Sequence, residues 1–508
     1  MSRAVEHREI EFKLRVPTGS DLDTRRIVES SSLHVDHDDV RSMDATYFDT
    51  PALTLIRWGI TLRHRLGGGD DGWHMKVPVP SSGSSTPSYA RDEIHVEGPE
   101  GLIPTEIVSI ASPLLRRQEL NPVARVRTER SPYLLSGKDG TTLLEVVDDH
   151  VSVSRLDGVD PDQPVTFHEV EIEVMDGSDK ALREAEKLSA AFQRAGAVPS
   201  SVSKAAQAMG RRVGDPPDVP ALPYPEPEAP AVDALKAIFS GYVRDLLFAD
   251  LGVRRHHDDA VHQMRVACRR IRSSLKTFAP LLDPEQVEFL RAELAWMAAE
   301  LGGVRDTEVQ AQRLPSLTTD DETRHFIEQA LEQRLRAAMS SALAALRSDR
   351  HDFLIEDLMI LVAEPPVSPQ GFEPAQSVLR SCARTPWRRL TQAVAKTKPD
   401  SPEEMWHRVR IKAKQARYAA EAVAPVLGVE YAKLAKQLER ATDTLGERQD
   451  AAVSIDVLRD LAETAPGRVA YSLGIIAAEC GHQGRTFQND FSRRWPKTKR
   501  HAAALGLD

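Results

Sequence analysis

The hydrophobic period of this chain changes across the stretch GDPPDVPALPYPEPEAP, residues 214–230, and no other feature limits its fold as much. Proline cannot continue a helix or donate to a sheet, and it favours an extended spacer, so this stretch reads as a linker. Before it, short segments alternate apolar and polar residues, with turn signals between them, at 9–16, 60–66, 74–79, 91–97, 124–130, 142–147, 151–155 and 168–175. Helical patterns intervene near 21–31, 104–119 and 180–195. After it, the period is 3.6 over 231–248, 260–278, 284–300, 321–347, 402–422 and 431–445. The pattern predicts an α+β domain with an antiparallel sheet at 1–212, a linker at 213–230 and an all-α domain at 231–508.

Composition narrows the function classes. A hydrophobic content of 41% with 28% charged residues fits a globular chain with a sizeable core. A net charge of −10 argues against coating nucleic acid or anionic membrane with the whole surface, so any anion site must be local. Cys268, Cys382 and Cys480 are too scattered for a disulfide framework or thiolate cluster. No apolar run is long enough to cross a bilayer and the opening residues are charged, which predicts a cytoplasmic protein without a membrane partner.

Side chains alternate across a strand, so Glu9, Glu11 and Lys13 share one face. So do Arg63 and Arg65, Arg91 and Glu93, Arg125 and Arg127, and Glu169, Glu171 and Glu173. A solvated face usually mixes signs along each strand. Here the first and last strands are nearly all acid and the middle ones nearly all base. Carboxylates two residues apart lie about 7 Å from each other and repel by roughly 2 kcal/mol at an effective dielectric of 20. A hard divalent cation relieves that repulsion, and guanidinium groups fork onto phosphate oxygens.

The ordered set EIEFK, TYFDTP, TLRHR, MKVP, RDEIHVE, RVRTER, LEVVDDHV and HEVEIEV resembles the CYTH domain, the triphosphate tunnel metalloenzyme fold, over residues 5–210. The resemblance implies an eight-stranded antiparallel tunnel that binds a triphosphate, with Mg2+ or Mn2+ held by acids and water attacking phosphorus. Position by position, it places Glu9, Glu11, Asp148, Glu169, Glu171 and Glu173 on the metal. Lys13, Arg63, Arg65, Lys76, Arg91, Arg125, Arg127 and Lys204 fall on phosphate, and Glu9, Glu11 and Lys13 are the catalytic candidates.

The second half repeats itself. VHQMRVACRRIRSSLKTFAP and WHRVRIKAKQARYAAEAVAP align His262 with His407, Arg265 with Arg410, Arg269 with Lys414 and Arg272 with Arg417. Downstream, LGGVRD answers LGERQD and pairs Arg305 with Arg448. On a helix these offsets fall within an arc of about 80°, and Lys276 extends the first stripe to about 21 Å. Met264, Cys268, Ile271, Leu275 and Phe278 form a separate apolar stripe, mirrored by Val409, Ala413, Ala416, Ala420 and Val423. Like charges at this spacing destabilise a helix by tenths of a kcal/mol per pair, and a bound polyanion offsets the penalty. One histidine per helix without further donors is a poor metal site. This half resembles the CHAD domain over about 231–505, and the resemblance implies inorganic polyphosphate binding by these basic stripes. The second copy departs from the first in carrying Glu421 where the first has Lys276.

The leading expectation is therefore a metal-dependent hydrolase of inorganic triphosphate or a related linear or organic triphosphate, with a polyphosphate-binding helical module. Its rival is a non-catalytic scaffold that binds polyphosphate or nucleotide. The CYTH resemblance also brings in adenylate cyclase and thiamine triphosphatase chemistry, between which these residues do not choose. Nucleic acid is a poor fit, because the basic helices lack interleaved aromatics for stacking.

Overall fold

The computed structural model describes residues 5–79, 89–156, 164–209, 214–398 and 401–507. The chain divides into two compact units, Met1–Asp218 and Val219–Asp508.

Among the described residues the first unit is built on ten strands: β1 (Val5–Val16), β2 (His34–His37), β3 (Arg41–Asp49), β4 (Thr61–Leu66), β5 (Gly72–Pro78), β6 (Tyr89–Val96), β7 (Asn121–Ser136), β8 (Thr142–Arg155), β9 (Val165–Val174) and β10 (Val198–Pro199). Eight of them pair antiparallel in the order β1-β6-β5-β4-β3-β7-β8-β9, and β9 returns to β1, so the sheet closes on itself. Closure removes the exposed edges of an open sheet and creates an interior. β2 adds to β7 and β10 to β1 outside the ring.

Alternation along β1 sets up the two faces. Ile10, Phe12, Leu14 and Val16 turn outward into an apolar core with Val146, Val170 and Ile172, covered by Ala181, Ala185, Leu188 and Phe192 of the helix Asp179–Arg194. Ser178 caps that helix by accepting from the Ala181 N–H. With the even residues fixed in this core, Glu9, Glu11 and Lys13 must point into the ring.

The sequence pattern counts eight main strands, but two of its assignments shift. The segments at 142–147 and 151–155 are one continuous strand, β8. Asp148 and Asp149, which read as a break, are consumed by partners on opposite faces: His168 bonds Asp148 and Arg130 bonds Asp149. In turn β3 gave no clear alternation, because most of its residues from Met43 to Asp49 are buried whichever way they point. Its TYFDTP motif is a capping device. Asp49 accepts from the N–H groups of Thr50 (2.7 Å), Leu55 (2.9 Å) and Ile56 (2.9 Å), which starts the short helix Thr54–Arg57.

The second unit is helical. Ala231–Arg254 and Ala260–Thr277 form one hairpin, Ala375–Ala395 and Glu403–Leu427 its repeat, and the second members of the two hairpins pack together. The repeats meet symmetrically where each begins. Ala231 N–H donates to Glu373 O (2.9 Å) and Ala375 N–H to Ala229 O (2.8 Å), each just after the proline that opens its helix. Met264, Cys268, Ile271, Leu275 and Phe278 are buried, as are Val409, Ala413, Ala416, Ala420 and Val423, so each apolar stripe is core. No helix among the described residues is long and apolar enough to cross a membrane.

Candidate active site

The ring encloses a cavity of about 220 Å³, lined by Glu9, Glu11, Lys13, Tyr47, Arg63, Arg65, Lys76, Arg91, Glu93, Arg130, Glu145, Glu171, Glu173 and Lys204. That is room for a small polyanion with its waters, at about 30 Å³ per water. Strand register sorts the lining. Glu11 faces Glu173 across β1 and β9, and Glu173 faces Glu145 across β9 and β8, so three carboxylates stand abreast. The adjacent row carries Lys13 opposite Glu171. On the far side, Arg63 lies between Tyr47 of β3 and His74 of β5, and Lys76 faces Glu93.

Two acid groups in the interior differ in how they are compensated. Asp149, Glu169 and Glu171 converge closely, but three cations already hold them. Lys204 lies 2.7 Å from Glu169, 2.8 Å from Glu171 and 3.0 Å from Asp149. Lys13 is 2.8 Å from Glu171, and Arg130 forks onto Asp149 at 2.8 and 2.6 Å and reaches Glu171 at 3.0 Å. Burial opposes their ionisation, yet Glu171 titrates well below the usual carboxylate range because Lys13, Lys204 and Arg130 surround it. The same acids outweigh burial at Lys13 and Lys204 and raise both ammonium groups.

The row of Glu11, Glu173 and Glu145 with Glu9 is different. Lys76 bonds Glu9 at 2.8 Å, while burial, Glu9, Glu145 and Glu11 together push Glu173 up to about 8. Glu11 is buried too, but Lys13 and Lys76 hold it below its ordinary value. Four carboxylates that two ammonium groups, Lys13 and Lys76, compensate only in part, leaving Glu173 raised, are the donor chemistry of a hard, oxygen-seeking divalent cation. These residues fit Mg2+ or Mn2+.

On the opposite wall compensation is uneven: Tyr47 and Glu93 raise Arg63, and Glu9, Glu11 and Glu93 raise Lys76, against burial in both cases. Burial and Arg63 push the Arg65 guanidinium down, although Arg65 bonds Asp70. Arg63 is steadied by the Tyr47 hydroxyl (3.3 Å) and Glu93 (3.6 Å), and burial with the neighbouring Arg63 and Arg65 takes His74 down to about 4 although its hydrogen bond to Glu93 opposes the shift.

In the helical unit, His262, Arg265, Arg269, Arg272 and Lys276 lie half-buried along Ala260–Thr277. Arg265 donates to Asp306 (3.0 Å) and Arg305 to Glu308 (3.2 Å). Further along, the cations meet one another. Burial and the neighbouring Arg291 and Arg269 push Arg272 down, and burial with Lys412, Arg291 and Arg389 does the same to Lys276. The buried Nε atoms of Arg269 and Arg272 have no hydrogen-bond partner among the described residues. A cavity of about 450 Å³ opens beside Lys276, Arg389, Ser273 and Gln415. The second stripe is more neutral, because Arg417 bonds Glu421 and Glu439, each at 2.6 Å.

Family models place a CYTH domain at residues 7–207 and a CHAD domain at 237–459. An uncharacterised protein of Mycobacterium tuberculosis is 31% identical over 471 residues, 87% of each chain. The chain belongs to the family in which a CYTH domain precedes a CHAD domain. Among solved structures, PptA from Streptomyces chartreusis is similar at 27% identity and a TM-score of 0.46, covering 53% of this chain and all of that one. The CHAD domain from the plant Ricinus communis is similar at 24% identity and a TM-score of 0.45, covering 57% of this chain and 95% of that one.

In the CYTH unit the cavity collects most of the residues the sequence singled out: Glu9, Glu11, Lys13, Arg63, Arg65, Lys76, Arg91, Glu171, Glu173 and Lys204. Glu169 lies just behind them, on Lys204. Three expectations are corrected. Arg125 and Arg127 are outside the tunnel, on the exposed face of β7, where both bond Asp44 (2.8 and 3.3 Å). Asp148 is outside as well, bonded to His168. One physical rule accounts for all three: neighbouring strand residues point oppositely, so Arg130 and Asp149, one or a few positions away and of opposite parity, are the interior pair. Arg130 could have been found by asking which RVRTER arginine shares parity with the apolar Ala124 and Val126, whose side chains are buried. Glu145 and Tyr47 gave no such signal. In the CHAD unit Arg291, Arg389 and Lys412 join the first stripe from other helices, which no single-helix periodicity reveals. His407 is exposed, with Arg410 and Lys414 partly buried on the second stripe, and the side chain of Arg448 lies outside the described residues.

Proposed function

We propose that the CYTH unit hydrolyses a phosphoanhydride bond of inorganic triphosphate, or of a related linear or organic triphosphate, with Mg2+ or Mn2+, and that the CHAD unit binds inorganic polyphosphate. One observation carries the reading: the row of Glu11, Glu173 and Glu145 shares an enclosed cavity with Arg63, Arg65, Arg91 and Lys76. A site that only bound polyanions gains nothing from carboxylates beside the phosphates.

Glu9, Glu11, Glu145 and Glu173 would hold the cation, which when bound neutralises phosphate charge and polarises phosphorus toward water. The chain's own residues supply the rest. Arg63, Arg65, Arg91 and Arg130 present planar donors that match phosphate oxygens in pairs, and fixed strands hold them in place before substrate arrives. Lys13 and Lys204 are kept protonated by Glu171 and Glu169, so they serve as fixed positive charge and hydrogen-bond donors and not as bases. Lys76, bonded to Glu9, stands where the acid row meets the basic wall and links the two. Phosphoryl transfer to water asks for positioning and charge cancellation, which this arrangement provides.

The test is phosphate release from inorganic triphosphate with Mg2+ and with Mn2+, repeated on Glu9→Gln. Release should fall about a hundredfold or more in the variant. Release with neither metal would leave a polyphosphate- or nucleotide-binding scaffold in its place, and release indifferent to Glu9→Gln would overturn the role of the acid row.

A further inference from the structure

The outer face of the same β8–β9 pair carries a second constellation that the tunnel does not use. Asp148 and His150 stand two residues apart on β8 and share a face, and His168 lies directly across from His150 on β9. Asp148 Oδ1 accepts from His168 Nε2 and lies 3.9 Å from His150 Nε2. The two imidazoles stack with centroids 4.4 Å apart and planes inclined by 15°. One donor atom from each of the three residues falls within 4.8 Å of the others.

We propose that Asp148, His150 and His168 form a site for a borderline divalent transition metal of the Zn2+ class, on the outside of the barrel and distinct from the tunnel. Two imidazoles and one carboxylate are the ligand set that such ions prefer and that Mg2+ does not. Donors around a tetrahedral centre with bonds of about 2.1 Å lie about 3.4 Å apart, so the triad reaches that geometry by side-chain rotation. His150 is free to make it, with 65% of its side chain exposed. Asp148 keeps only 15% of its side chain exposed, and its Oδ1 is already turned toward both histidines. The open side faces a cavity of about 580 Å³ lined by Thr18, Ser20 and Ser152, which leaves room for water in the remaining positions. The acid cluster inside the tunnel offers a contrast. Asp149, Glu169 and Glu171 also converge, but Lys13, Lys204 and Arg130 occupy them. The charged residues nearest the outer triad in this cavity are Arg127, which is bound to Asp44, and Glu129.

A metal here ties β8 to β9, the two strands whose inner faces carry Glu145, Asp149, Glu169, Glu171 and Glu173. It acts as a clamp on the acid wall and takes no part in phosphoryl transfer.

Co2+ is the probe, titrated into the untagged full chain in saturating Mg2+ and followed by visible d–d absorption. One equivalent should bind, the band should disappear in His150→Gln and in His168→Gln, and it should persist in Glu173→Gln. Absence of the band, its survival in both histidine variants, or its loss only in Glu173→Gln overturns the site. Hydrogen exchange of the wild type needs no variant. Zn2+ added over Mg2+ should slow exchange in peptides from 142–155 and 165–174 at least several-fold, and unchanged exchange there refutes the clamp.

Discussion

Arg130→Gln and Arg127→Gln, two substitutions three residues apart on one strand, should behave in opposite ways. Arg130 has 18% of its side chain exposed and holds Asp149, itself fully buried, through two bonds and Glu171 through a third. Removing one partner of such a buried pair costs about 3–5 kcal/mol, and here it leaves Asp149 with Lys204 as its one remaining close cation among the described residues. Arg127 is 68% exposed beside Asp44, which Arg125 also bonds, so its loss costs about 0–1 kcal/mol. For a unit of this size each kcal/mol moves the melting midpoint by about 2–4 °C. Scanning calorimetry should therefore show the CYTH transition fall by about 6–20 °C for Arg130→Gln and by no more than about 4 °C for Arg127→Gln. Triphosphate hydrolysis should be lost in the first and kept in the second. Equal shifts, or a larger one for Arg127→Gln, would refute the assignment of strand faces on which the tunnel rests.

Three more outcomes follow from the same geometry. Glu173, raised to about 8 in the folded chain against about 4.3 unfolded, contributes stability that is complete below the unfolded value and lost as pH climbs to 8. The metal-free CYTH transition should thus fall between pH 5 and 8, a trend that Glu173→Gln flattens, and Mn2+ binding at pH 7 should release a proton, seen as a buffer-dependent enthalpy in titration calorimetry. In the CHAD unit, Arg272→Gln should weaken polyphosphate binding and lower its salt slope by about 1, while Glu421→Gln, which removes one of the two carboxylates on Arg417, should tighten binding; anisotropy measured across salt concentrations reads both. Asp49→Ala strips three backbone N–H groups of their acceptor and should cost about 2–4 kcal/mol in urea unfolding, with a loss under about 1 kcal/mol refuting the capping role.

The two faces of β1 were legible because it alternates so cleanly, with Phe12 and Leu14 on one and Glu9, Glu11 and Lys13 on the other, whereas closure of the strands into a ring was implied only by the CYTH resemblance. The helical repeat was legible for the same reason at period 3.6, with Cys268 and Ala413 on one side and Arg269 and Lys414 on another. Parity misled where both readings offered charge. RVRTER contains Arg125, Arg127 and Arg130, and LEVVDDHV contains Asp148 beside Asp149, so charge alone could not say which member turns inward.

What the sequence determined by itself is local: the period of each segment, the linker, and which residues share a face. Tertiary structure alone decided which face became the interior. Strand parity becomes direction only when neighbouring strands close around a space and helices cover the outside. The same holds for Glu145 in the acid row and for Arg291, Arg389 and Lys412 around Lys276. Each is brought there from another element, and electrostatic neighbourhoods are set by distance in space, which one-dimensional spacing does not encode.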